Sequence, residues 1–335
     1  MLRYLLRRIA NYVLLLFMAT TMAYFIAGTQ LNPRAKLIQE RLSSGKNQTR
    51  AEIEASVDRL LNGYNINPNT SIFERYWNWL KNVVFHFDWG YAPDGSHVNT
   101  EIANRVPLSL QLVFLGFFIG IFVGVALGAY SAVKQYSAFD RVTTFIVMLL
   151  ISTPSIVLAI LLQMLTIKMN QTLGTDLSFS GPYSVPQPDG TFAALMDRLE
   201  HLLLPTIAMS LGGIAVYSRY QRNLMLDTLG ADYVRTARAK GLRFAKAVRL
   251  HALRTSLIPV ATYFAFGIAG LITGAAITEQ IFGWQGMGIY AINTIQLMDI
   301  NGTVSVVAFG GACTLTGALL SDMLIAAIDP RVRVG

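Results

Sequence analysis

Four histidines, His86, His97, His201 and His251, and one cysteine, Cys313, are the side chains here best suited to metal binding or nucleophilic chemistry. Their spacing supports neither. No two histidines form HExxH or another close ligand pair, and one cysteine inside an apolar block gives no disulfide framework and no cysteine-based metal site. The sequence has no G-x-S-x-G elbow and no G-x-x-x-x-G-K-[ST] phosphate loop. No cofactor is therefore expected in this chain, and ATP-driven work would need nucleotide bound by another one. Asp322 is the one acid well inside a hydrophobic stretch. Because intramembrane carboxylates are costly, two readings stand for it: a structural ion pair or hydrogen bond near a helix end, or a place on a substrate path. What the chain does concentrate is positive charge, with nine Lys or Arg residues between Arg219 and Arg254.

The elements that carry these residues follow from hydropathy. Of 335 residues, 53% are hydrophobic and 14% charged, against about a quarter charged in a soluble domain. The apolar residues gather into six blocks, 9–28, 107–133, 142–168, 202–218, 256–278 and 304–328. Such blocks suit about 30 Å of hydrocarbon, where each must be helical to satisfy its backbone. The first follows a basic start, is too long for a signal-peptide core and lacks an A-x-A-like site, so it reads as an uncleaved span. The fold class is an all-α integral membrane protein with six transmembrane helices.

Orientation follows from the basic residues. With the N-terminus inside, the inner segments hold Arg3, Arg7, Arg8, Lys134, Arg141, the nine bases of 219–254, Arg331 and Arg333, against Asp140, Asp227, Asp232 and Asp329. The outer segments are balanced or acidic: 169–201 is net negative, and 279–303 holds Glu279 and Asp299 with no base. Both termini are thus placed in the cytoplasm. The net charge of +8 serves topology and lipid contact, and no nucleic-acid partner is expected.

The outer segment 29–105 contains two helical patterns. In the first, Asn47 or Thr49 would cap, Ile53, Val57, Leu60 and Leu61 recur at helical spacing, and Gly63 would stop the helix. IFERYWNWLKNVVFHF repeats the pattern with Tyr76, Trp77, Trp79 and Leu80, as expected of interfacial or folded helices with aromatics at headgroup depth. The 169–201 segment, rich in Gly, Pro, Asp and Ser, reads as irregular.

Within the spans, Gly116, Gly120, Gly124 and Gly128 form a ladder on one helix face, where small residues let a neighbouring backbone come close. The face is either a static packing seam or one that slides during a transport cycle. Gly267, Gly270 and Gly274 invite the same two readings, and Pro154 and Pro205 mark kinks.

In the basic stretch, Ala231–Lys240 fits a short helix with Asp232 in its first turn, where the dipole favours an acid, and Gly241 at the position that follows a helix end. A second helical stretch, Phe244–Ser256, leads into span five. The positive-inside rule explains the charges. It explains neither the glycine break nor the small residues Thr236, Ala237 and Ala239, which suit a docking helix.

RTARAKG resembles the EAA loop of permease subunits in binding-protein-dependent ABC importers, whose core is Glu-Ala-Ala, three residues, then Gly. Ala237 matches the second alanine and Gly241 the glycine, while Arg235 stands for the glutamate and Thr236 for the first alanine. DYVRTARAKGL is similar to the variant of the oligopeptide, dipeptide and nickel permease branch. The likeness continues in the basic start at 2–8, in Tyr76, Trp79 and Leu80 with Asp88-Trp89-Gly90, and in Arg105-Val106-Pro107-Leu108-Ser109-Leu110. It extends through Glu279 with Phe282 to Gly288 and the closing IDPRVR at 328–333. The long segment between spans one and two looks like that of the B-type subunit.

The resemblance implies an ABC type I importer permease fold: a tail and first span at 1–28, an extracytoplasmic segment at 29–105, and a permease core at 106–335 with the coupling loop at 223–255. It implies a homologous second permease sharing the translocation path, two ATP-binding subunits carrying ATP and Mg, an extracytoplasmic binding protein and a peptide substrate, in a prokaryotic cell membrane. Asp232, Tyr233, Arg235, Thr236, Ala237, Gly241 and Leu242 would make the ATPase-coupling contact. The rival is a self-contained channel or secondary carrier whose basic loop only anchors to lipid.

Overall fold

Hydrocarbon offers the backbone no partners, so the apolar blocks close their hydrogen bonds internally. The computed structural model describes residues 2–44 and 49–328, and their side chains apart from 2–5, 265–266, 268–275 and 326–328. Asn47, the closing stretch 329–335 and the surroundings of Gly270 and Gly274 lie outside this description. Thirteen helices run through the described residues: α1 Leu2–Gln30, α2 Pro33–Ser43, α3 Arg50–Gly63, α4 Ile72–His86, α5 Val98–Val133, α6 Ala138–Ser152, α7 Ser155–Leu173, α8 Thr191–Leu229, α9 Asp232–Ala239, α10 Phe244–Ala247, α11 Arg254–Ile281, α12 Met287–Gln296 and α13 Ile300–Ile328. A π-helical turn, Val248–Leu253, joins α10 to α11.

Among the described residues, five stretches are long and apolar enough to cross a bilayer: Leu6–Gln30, Val98–Val133, Ser155–Leu173, Thr191–Leu229 and Ile300–Ile325. The block at 256–278 is covered by α11. The block at 142–168 does not form one helix. Thr153 takes extended backbone ahead of Pro154, as a residue before proline must, so α6 ends at Ser152 and α7 starts anew at Ser155. The 169–201 segment is less irregular than its composition suggests, because α8 begins at Thr191.

The chain forms two compact units, one of 1–108 with 285–315 and one of 109–284 with 316–335. In the first, Asn32 caps α2 ahead of Pro33. Thr49 caps α3 through a reciprocal box in which the Glu52 N–H reaches Thr49 Oγ1 and the Thr49 N–H reaches Glu52 Oε2. Arg34 donates to both oxygens of Asp58, at 2.7 and 3.0 Å, tying α2 to α3. α3 ends at Gly63, the expected stop, but the left-handed residue beyond it is Asn65, φ 59°. The core holds Ile53, Val57 and Leu61 of α3, Trp79 of α4, Tyr24 of α1, and Ile300 and Val304 of α13. The aromatics of α4 thus divide: Trp79 packs inward, whereas Phe73 and Trp77 are exposed.

In the second unit the glycine ladder of α5 lies on α8. A Cβ on Gly116 would stand 2.7 Å from Cβ of Met209, one on Gly120 3.1 Å from Cα of Gly213, and one on Gly124 2.9 Å from the Ile214 carbonyl oxygen. At Gly128 it would collide with the Ser218 carbonyl and approach the Arg222 amide to 3.0 Å. Partner numbers rise along both helices together, so α5 and α8 run parallel, as alternation requires of spans two and four. Backbone meets backbone along four turns. Gly267 of α11 similarly makes room for the Phe117 ring and the Tyr217 hydroxyl.

Candidate functional site

The basic stretch folds into an elbow seated on the ends of α5 and α8. Helix α9 starts with Asp232 in its first turn and closes through paired reverse bonds. The Gly241 N–H reaches the Arg238 carbonyl at 2.9 Å, and the Leu242 N–H reaches the Ala237 carbonyl at 3.2 Å. This is the Schellman arrangement, and it requires the positive φ of +89° that Gly241 adopts. A Cβ at 241 would meet nothing within 4 Å, so the demand for glycine is conformational within this chain.

One face of α9 holds the elbow in place. Val234 and Ala237 pack with Ala132 of α5, Met225 of α8, and Ala247, Val248 and Ala252 beyond the glycine, with Leu242 partly buried beside them. Behind this cluster, Gln221 Nε2 donates to Ser256 Oγ at 2.8 Å, linking α8 to the start of α11. The opposite face is open: Asp232, Tyr233, Arg235, Thr236, Arg238 and Lys240 are exposed. Among the residues read as a docking set, Ala237 therefore faces inward, where its small side chain lets α9 sit close to its own unit. Arg235 points out, its Nη1 4.0 Å from Asp232 Oδ1. A pair so exposed contributes little to stability. The Arg238 guanidinium lies over the Phe244 ring, 5.4 Å from its centroid, bridging the two arms of the elbow.

Two buried acids do more than their places in the sequence suggest. Asp140 counts there only as an inner-segment charge. In the structure it is 3% exposed, and Arg222 grips both its oxygens, Nε to Oδ1 at 2.7 Å and Nη2 to Oδ2 at 2.9 Å. Ser131 Oγ and the Tyr136 N–H also donate to it. The Arg222 guanidinium, with the Ser131 hydroxyl and the Tyr136 amide, holds this carboxyl far below the usual carboxylate range. The network joins α5, α6 and α8 just where the elbow departs. Glu279, near the end of α11, is fully buried and accepts a hydrogen bond from Ser109 Oγ at 2.5 Å. Two stretches that carried the resemblance, Arg105–Leu110 and Glu279–Gly288, meet through this bond. Beyond Glu279, Gly283 turns at φ +67° and the Phe282 carbonyl accepts the Gly181 N–H at 2.8 Å. Asp322 lies partly buried on α13.

The sequence profile of a family described as the binding-protein-dependent transport system inner membrane component matches residues 104–334. The chain belongs to this family. An oligopeptide transport system permease protein, OppB, of Mycobacterium tuberculosis is 41% identical over 335 residues, all of both chains. The OppB of Escherichia coli (strain K12) is 30% identical over 335 residues, covering 99% of this chain and 100% of its own. AppB of Bacillus subtilis, also an oligopeptide transport system permease protein, is 29% identical over 281 residues, 84% of this chain and 86% of its own. This chain is thus a multi-pass, all-helical permease component of the inner membrane, not an enzyme, in a transport system that works with a binding protein.

Proposed function

We propose that this chain is one of two homologous permease subunits of an ATP-driven peptide importer. The second permease supplies the other wall of the translocation path, and an extracytoplasmic binding protein delivers peptide to the outer face. Two cytoplasmic ATPase subunits hold ATP and Mg and receive the elbow. The peptide class comes from relatives named for oligopeptide transport.

The observation that carries the coupling role is the division of α9 into two faces. Val234 and Ala237 anchor the helix on α5 and α8, while Asp232, Tyr233, Arg235 and Thr236 stand free of the chain's own core. Gly241 closes the helix, and Leu242 then returns the chain toward α11. A push on the exposed face therefore reaches α8 and α11 through packed side chains rather than through a slack loop. With Arg235 where the broad pattern has glutamate, the partner groove would need an acid or backbone carbonyls at that point.

The test is uptake of labelled peptide by the assembled, reconstituted transporter, with Gly241→Val beside the wild type. Uptake is expected to collapse while insertion and subunit association persist. Normal uptake in the variant would sink the docking role. Transport by the reconstituted single chain without ATP would instead favour a channel or secondary carrier.

A further inference from the structure

Beside the Asp140–Arg222 pair lies a cavity of about 160 Å³ in which Ser131, Thr144 and Arg222 are spent on Asp140 and other polar groups are not. Arg219 is exposed, and its guanidinium has one polar contact among the described residues, to the Met148 sulfur at 3.7 Å. The Thr143 hydroxyl and the Asn223 carboxamide also line the cavity, and neither has a hydrogen-bond partner among the described residues. Arg222 contributes no free charge, because Asp140 already neutralises it. The cavity therefore presents one unspent positive charge with neutral donors beside it. That matches a singly charged phosphodiester.

Next to it runs an apolar groove of about 500 Å³ that shares Thr143 and Val147 with the cavity. Phe139, Val142, Ile146 and Leu150 of α6 form one wall, with Leu127 of α5 and Ile214 of α8 behind. A free cytosolic anion would have no use for that groove, and an uncharged chain would have no use for the arginine. An amphiphile uses both. Arg219 also lies at the end of α8 that the distribution of basic residues assigns to the cytoplasm, where anionic headgroups concentrate and basic pockets between helices take them up.

We infer that this cavity and groove form a binding site for one anionic phospholipid of the inner leaflet. Its phosphate is held by Arg219, Thr143 and Asn223, and an acyl chain lies along α6. By filling the space between α6 and the α5–α8 pair, the lipid would brace the base of the elbow. The inference depends on the membrane location and on the orientation read from the basic residues, and stands apart from the coupling role of α9.

The assembled transporter, delipidated in mild detergent and titrated with dioleoylphosphatidylglycerol, provides the test, with bound lipid counted by native mass spectrometry. One lipid should be retained that Arg219→Gln weakens about fivefold, the effect of one arginine near an anionic headgroup. Thr143→Val should weaken it less, Arg249→Gln not at all, and dioleoylphosphatidylcholine should bind poorly. Equal retention by Arg219→Gln would overturn the site, as would displacement of the lipid by inorganic phosphate. A photocrosslinking residue at Ile146 in the otherwise unaltered protein gives a second readout that does not depend on the variants folding. A lipid adduct supports the site, whereas an adduct with another protein subunit shows that protein covers the groove and overturns it.

Discussion

Gly120 of α5 and Gly213 of α8 face each other so closely that a Cβ on either would stand 3.1 Å from the α-carbon of the other. Neither residue can gain a side chain without moving a helix. At Gly124 the space is smaller, since a Cβ would lie 2.9 Å from both the Ile214 carbonyl oxygen and Cβ of Tyr217. Overpacking of this kind costs about 1–3 kcal/mol. Gly124→Ala should therefore lower the thermal unfolding midpoint of the purified protein, and Gly120→Leu should lower it further. Gly212, one residue from Gly213, has open space around it, and Gly212→Ala should leave the midpoint unchanged or raised. Equal effects at 212 and 124 would refute the seam.

The Asp140–Arg222 pair is mostly enclosed, and removing one member strands the other. Breaking a buried pair costs about 3 kcal/mol, so Asp140→Asn and Arg222→Met should each destabilise clearly. The double variant should be less damaged than the sum of the two, which a double-mutant cycle on thermal midpoints reads directly. The lowered carboxyl also fixes the sign with pH. Its contribution is present above the ordinary aspartate range, near 4, and fades only as pH falls below it. No loss through this pair is expected between pH 8 and 5.

Asp299 gives the opposite sign. It sits just before α13, 1% exposed, and its Oδ1 accepts the Gly302 N–H at 2.9 Å as a helix cap. Burial is the largest influence on it, and the carboxyl is pushed up to about 7. An aspartate in an unfolded chain titrates near 4. The folded form therefore holds its proton more tightly, and stability falls as pH rises from about 4 to about 7, where the loss levels off. Asp299→Asn keeps an acceptor suited to the cap and should flatten this slope. Measuring the unfolding midpoint from pH 4 to 8 for both proteins checks the point, and an unchanged slope in the variant would assign it elsewhere.

At position 241 the penalty is conformational, so side chains should rank by their tolerance of positive φ. Asparagine adopts left-handed backbone more readily than β-branched residues do. Gly241→Asn should keep more ATP-dependent peptide uptake than Gly241→Val. If both variants lost uptake equally, crowding by a partner at this position would outweigh the backbone.

What the sequence disclosed was largely local. Thr49 as a cap and the glycine that follows α9 lie within a few residues of the helix ends they mark, and the four glycines of α5 share one face because of their fixed period. Contacts between distant residues were not legible. Asp140 and Arg222 are 82 positions apart, and nothing near either one marks the other. Ala237 carries the small side chain expected of a docking residue, yet that size serves packing on α5 and α8. Trp79 could not be told from Trp77 by composition. Only the crossing of α4 over Tyr24 on α1, with ring centroids 4.9 Å apart, turns one inward and leaves the other out.

The ladder on α5 has a consequence in the language of genes. Any missense change in a glycine codon adds at least one carbon, so Gly116, Gly120, Gly124 and Gly128 offer random mutation no lesser step: every substitution presses a new carbon against α8. A saturation library selected for transport should therefore show these positions as four empty rows at intervals of four, with a nearly full row at Gly212. The seam between two helices would then be visible in a table of survivors alone.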